Sequence, residues 1–136
     1  MSSKVVRDAF ELAFVAAFPG LNLEQVDNEE PDRTGLPDQW STIDYIGIDE
    51  ARVSLGAVAC RRETGIIVPI VYIKAGSGSD TVIVLIESVR TFFRDWIDPS
   101  AKIKIIEVSP PEIGEESDGR WYASSTNLSY VFDNYI

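Results

Sequence analysis

The chain of 136 residues contains no histidine and one cysteine, Cys60. Without histidine it lacks the commonest general base near neutral pH and the commonest zinc ligand, and both Ser-His-Asp and Cys-His catalytic arrangements are excluded. One cysteine allows no disulfide framework within the chain, which fits a reducing compartment. Cys60 reads as a buried small residue in a strand. A reactive thiolate needs a cationic neighbour, and strand alternation sends the adjacent Arg61 to the opposite face. Positive charge is also scarce: 12 Lys and Arg stand against 22 Asp and Glu, for a formal charge of −10. That balance argues against a nucleic-acid groove and against docking on anionic lipid, both of which rely on basic patches. Long apolar runs are missing as well. The longest, at 66–73 and 82–86, fall far short of the ~20 residues that cross a bilayer. The first residues show no signal-peptide pattern.

The composition that remains, 45% hydrophobic and 25% charged, is that of one globular domain over residues 1–136 with a sizeable core. Residues 4–18 place Val6, Phe10, Ala13, Phe14 and Ala17 on one helical face, and Pro19-Gly20 ends that helix. An acidic connection follows at 22–38, punctuated by proline and glycine and longer than usual. It reads as a loop or arm at a contact. Strands are expected at 40–48, 52–62 and 66–73, the last two joined by a hairpin turn at Thr64-Gly65. Residues 66–73 are apolar at nearly every position, as in a strand covered on both faces, and Pro69 suggests an edge or bulge. A second helix begins at Ser79 or Asp80 with a broad stripe from Val82 to Trp96, including Phe92 and Phe93. A strand at 102–108, a Pro/Glu/Gly loop at 109–119 and a final strand at 120–132 complete the chain. The expectation is an α+β fold, a mainly antiparallel sheet with two helices packed on one face, in the order α-β-β-β-α-β-β.

Groups able to carry chemistry are few, and each has a plainer reading. Gly76-Ser77-Gly78-Ser79 precedes a helix, where free N–H groups attract anions, but no Gly-Lys-Ser/Thr follows and Asp80 would repel a phosphate. The carboxylate clusters Asp27/Glu29/Glu30/Asp32, Asp49/Glu50 and Glu112/Glu115/Glu116/Asp118 fall where turns are expected. Paired acids can hydrolyse glycosides or hold magnesium, yet none has calcium-loop spacing, and solvated loop charge is the default reading. No catalytic, metal or cofactor residue is assigned. Trp40, Trp121 and Tyr135 stand at element starts or the C-terminus. They are contact candidates, with core-edge packing as the alternative; Asp27, Glu29, Glu30 and Asp32 join them as candidates on the acidic arm.

The layout also carries a resemblance. Phe18-Pro19-Gly20 closes the first helix, Trp40-Ser41-Thr42-Ile43 opens a strand, and Arg62-x-x-Gly65 precedes an apolar strand. That strand ends in Lys74-Ala75-Gly76-Ser77-Gly78 before a helix bearing Phe92-Phe93. Asp118-Gly119-Arg120-Trp121-Tyr122 leads into an aromatic-rich terminal strand. Over about residues 4–134 this is similar to the tail terminator proteins of long-tailed bacteriophages and related small prophage neck and tail proteins; the arm at 22–38 does not align. The resemblance implies a structural, non-enzymatic virion protein without cofactors, assembled in the bacterial host cytoplasm. Such a protein forms a homo-oligomeric ring, commonly hexameric, that caps the tail tube protein, stops its polymerisation and meets head-tail connector proteins. DNA would pass through the lumen without specific binding, and six copies would together carry roughly −60, repelling it. A head-closure or neck connector of the same fold is the nearest alternative. A metal-dependent hydrolase using the acidic loops is the alternative from another class.

Overall fold

A computed structural model describes residues 4–21, 23–26, 39–52, 60–74, 79–98, 102–115 and 121–135. The chain is an α+β fold: two helices lie against one face of a mainly antiparallel sheet. Helix α1 spans Lys4–Ala17 and a 3₁₀ turn follows at Pro19–Leu21. Strand β1 (Leu23–Val26) pairs in parallel with β2 (Gln39–Arg52), and β2 pairs antiparallel with β3 (Cys60–Lys74). Helix α2 covers Ser79–Phe93. The short β4 (Ile97–Asp98) and then β5 (Ile103–Val108), β6 (Glu112–Glu115), β7 (Trp121–Ser125) and β8 (Leu128–Tyr135) complete the sheet. Among the described residues no helix is long and apolar enough to cross a membrane.

The three strands expected between 40 and 73 are in fact the two arms of one long hairpin, of 14 and 15 residues. Thr64 and Gly65 are not a turn; they lie inside β3, opposite Val131 and Tyr130 of β8. Glycine is needed there for a non-local reason. A Cβ on Gly65 would stand 2.9 Å from both Cε1 and the hydroxyl oxygen of Tyr130, closer than carbon atoms pack. The fully buried Tyr130 lies over the glycine, and its hydroxyl donates a 2.6 Å hydrogen bond to Oε2 of the buried Glu63. A second glycine shapes the other arm. Gly47 has φ +60, and Gly47-Ile48 together oppose one residue of β3. This is a bulge that requires the left-handed conformation glycine adopts without strain.

Pro69 sits at neither an edge nor a bulge. β3 is interior, with β2 on one side and β7 and β8 in a single line on the other. That line breaks at Thr126-Asn127, opposite Pro69 and Val68, which pair with neither strand. Proline offers no N–H to the ladder there, and the polar groups across from it turn to Ser109 instead. Thr126 Oγ1 donates to the Ser109 carbonyl at 2.8 Å, and the Asn127 amide donates to Ser109 Oγ at 2.9 Å. The single strand expected at 120–132 is therefore two collinear strands. Two further short strands occupy segments read as loops: β1 within 22–38 and β6 within 109–119.

The core lies between the helices and the near face of the sheet. Val6, Phe10 and Phe14 of α1 meet Val82, Ile86, Val89 and Phe93 of α2 over Ile43, Ile67, Val71, Ile103, Leu128 and Tyr130. Phe10 stacks on Phe93 at 4.5 Å, and Trp96 meets Phe93 edge-on at 5.5 Å. Each enclosed aromatic contributes roughly 2–3 kcal/mol of transfer free energy. Helix α2 stops at Phe93, earlier than its apolar stripe suggests, because Asp95 takes a left-handed φ of 62. β3 is buried on the helix side and half-buried on the other, so it is not fully covered on both faces. On that second face Trp40 stacks on Tyr72, with ring centroids 3.9 Å apart and planes 6° from parallel.

Candidate contact surface

On the described surface an open, shallow groove of about 700 Å³ lies between the end of α1 and the outer side of α2. Its apolar wall comes from Ala17 and Phe18 at the close of the first helix and from Ile83, Val84 and Phe92 of the second. Phe18 is held in place by aromatic neighbours, 5.6 Å from Phe14 and edge-on to Phe92 at 5.5 Å. The reason these side chains are left at the surface is helical geometry. Successive residues turn by about 100°, so Phe93 can enter the core only if Phe92 points aside. Phe92 is accordingly 44% exposed and Val84 63%. Outside the lining of the cleft, the outer side of α1 exposes Val5, Leu12 and Val15, each about half exposed or more.

Two of the polar groups at the cleft are engaged within the chain. Ser88 Oγ donates to the Val84 carbonyl at 3.0 Å, within its own helix. Glu87 accepts from Arg90 Nη1 at 3.3 Å, while Arg90 Nε donates to the Ser109 carbonyl at 2.7 Å. One carboxylate therefore borders the cleft, fixed by a guanidinium that also ties α2 to the β5–β6 connection. The lining is mostly apolar and suits apolar burial. Among the described residues no three His, Cys, Asp or Glu side chains gather as metal ligands would.

The residues singled out from sequence are not brought together here. Trp40 is fully buried, stacked on Tyr72 with Ile70 and Ala123 beside it, so its indole is packing within the chain and not an open contact. Trp121 and Tyr135 are placed by backbone alone, pairing with Lys74 and Cys60 across β3, and their side chains lie outside the described residues. Asp27, Glu29, Glu30 and Asp32 also lie outside them, as do Gly76–Gly78. Asp49 and Glu50 are exposed on the far part of β2, where Glu50 faces Arg61 at 3.8 Å. Sequence reasoning missed Phe18, Val84 and Phe92 as surface residues. The signal was present in the adjacent Phe92-Phe93 pair, which one helix cannot send into one core.

No protein-family model matches the sequence, and no curated protein matches it. Nine solved chains match in structure. One of them, which carries a bare sequence identifier for a name, aligns over 100% of this chain and 99% of its own with a TM-score of 0.56 at 16% identity. At that identity the likeness speaks to the fold alone.

Proposed function

We propose that this protein is a structural assembly subunit that works by self-association, in the manner of a phage tail terminator: a ring that caps a tail tube and joins it to head-side connectors. The observation that carries the reading is the apolar cleft of Phe18, Val84 and Phe92, with exposed Leu12 and Val15 on the neighbouring helix. In a chain of formal charge −10, such apolar surface marks where another protein surface is received. The sequence resemblance supplies the identity of the assembly. A hydrolase would instead gather carboxylates in its cleft, whereas this one has Glu87 alone, already paired with Arg90.

The test is mass in solution by analytical ultracentrifugation, across concentrations, with and without divalent ions, and with tail-tube or connector protein added. A ring-sized species, alone or on the tube protein, is the expected result. A monomer under every one of these conditions would end the proposal. Binding to the connector in place of the tube would convert it to the neck-protein reading.

A further inference from the structure

We infer that copies stack face to back: the outer side of the helix layer of one copy covers the second face of the sheet of the next. This rests on the self-association reading and names its two surfaces. Residues 66–73 are apolar at nearly every position, the pattern of a strand covered on both sides, yet both helices lie on one side of it. On the other side Ile66, Val68 and Ile70 are half-buried, and Ile46, the cross-strand partner of Ile66, is 45% exposed. Ile97 extends this face toward the far edge of the sheet. It stands opposite Lys104, which points away from the buried Ile103 and Ile105, and it is 61% exposed. An apolar sheet face is stably buried against a further layer, and helices are one such layer.

The helix layer of a second copy fits that description. At about 100° per residue, Leu12 and Val15 lie away from the buried side of α1, and Val84 and Ser88 lie away from the buried side of α2. Both buried sides meet the same sheet face, so the two outer sides look the same way and form one surface. Ser88 on that surface already donates to a carbonyl of its own helix, and covering it strands no donor. Charge then sets the register. Arg94 continues the last turn of α2 on the helix side, and Glu107 stands on the sheet's second face opposite Ser129, which alternates with the buried Leu128 and Tyr130. Both are exposed, and among the described residues neither side chain has a hydrogen-bond or ion-pair partner. The Ile105 amide donates to the Trp96 carbonyl at 2.9 Å, two residues from each charge, so Arg94 and Glu107 lie at one edge of the sheet on its opposite sides. Stacking in register sets Arg94 of one copy over Glu107 of the next, a complementary contact. Because the two surfaces differ, the contact is heterologous, the kind whose repetition closes into a ring.

The test is sedimentation of full-length variants and their mixtures. Val84→Glu spoils the helix side and keeps the sheet face; Ile46→Glu spoils the sheet face and keeps the helix side, with Ile97→Glu as a second variant of that face. Each alone should associate roughly ten-fold more weakly than the parent, because the contact would bury an unpaired carboxylate, and should keep the parent's near-ultraviolet circular dichroism. Mixed in equal amounts, a helix-side and a sheet-side variant should form a dimer and nothing larger, through the one intact contact left. Arg94→Glu and Glu107→Arg should each weaken association roughly three-fold and, combined in one chain, restore it. A helix-side or sheet-side variant that associates as tightly as the parent would show that the spoiled face is not in the contact. If the parent assembles but the mixture is no heavier than either variant alone, the stacking is wrong and the assembly reading stands. A parent that is monomeric under every condition removes both.

Discussion

The two halves of the β2–β3 hairpin are made of the same paired strands and live in different surroundings. From Gln39 to Ile46 the hairpin lies under both helices, with β1 on one side and β7 on the other, and Trp40, Ser41, Ile43, Val71 and Ile73 are all but inaccessible. Past the bulge at Gly47 the register pairs Glu50 with Glu63, Ala51 with Arg62 and Arg52 with Arg61. Arg61 and Glu50 there are about half exposed. The near half is held by burial; the far half is held by its ladder to β8 and by charge. Such a division lets one end anchor in a core while the other reaches outward. The largest effect should come from the near half. Trp40→Ala removes a fully buried ring from its stack on Tyr72 and should cost about 3–5 kcal/mol, read by urea denaturation. A loss under 1 kcal/mol would mean that the indole serves a contact and not the core, and the two halves would then be alike.

The boundary between the halves should be nearly as sensitive. Gly65→Ala drives a methyl group into the buried Tyr130 ring and disturbs its bond to Glu63. The expected loss is about 2 kcal/mol, typical of overpacking. Tyr130→Phe, which keeps the ring and deletes the hydroxyl, should cost about 1–2 kcal/mol by leaving Glu63 without that donor. If Gly65→Ala costs nothing further once Tyr130 is replaced by Phe, the hydrogen bond, and not the crowding against Cε1, is what makes glycine necessary at 65.

That glycine also shows where sequence reasoning stops. Both helices were legible because their apolar residues recur every three or four positions, and that period is local. Thr64-Gly65 looked like a turn because glycine beside threonine between apolar runs is what turns contain. What overrides the signal is Tyr130, 65 positions later, whose ring occupies the space a side chain would need. The break at Thr126-Asn127 was hidden for the same reason: its cause is Pro69 on a neighbouring strand. β1 and β6 are four residues each, too short for alternation to register, and they are strands because β2 and β7 offer edges. The cleft was half legible. Phe18 and Phe92 stood out as motifs, but which of two adjacent phenylalanines enters the core depends on where the sheet lies.

The smallest effect belongs to the far half. Arg62 Nε donates to Asp133 Oδ1 at 2.8 Å, beside the end of the hairpin. That hydrogen bond, aided by the charges of Arg62, Lys104 and Lys102, holds the Asp133 carboxyl below its ordinary 3.8, against a partial opposing effect of burial. A depressed carboxylate pKa means that the unfolded chain takes up the proton first as pH falls. The pair therefore stabilises the fold fully above the ordinary carboxylate range, and the contribution disappears as pH drops through the folded value. Because the pair is partly exposed, Asp133→Asn should cost only about 0.5 kcal/mol at pH 7. The difference between the two proteins should shrink below about pH 4 and shrink with added salt. A pH-independent difference would show that Asp133→Asn loses stability through packing and not charge, and the far half would then be held by burial after all, as the near half is.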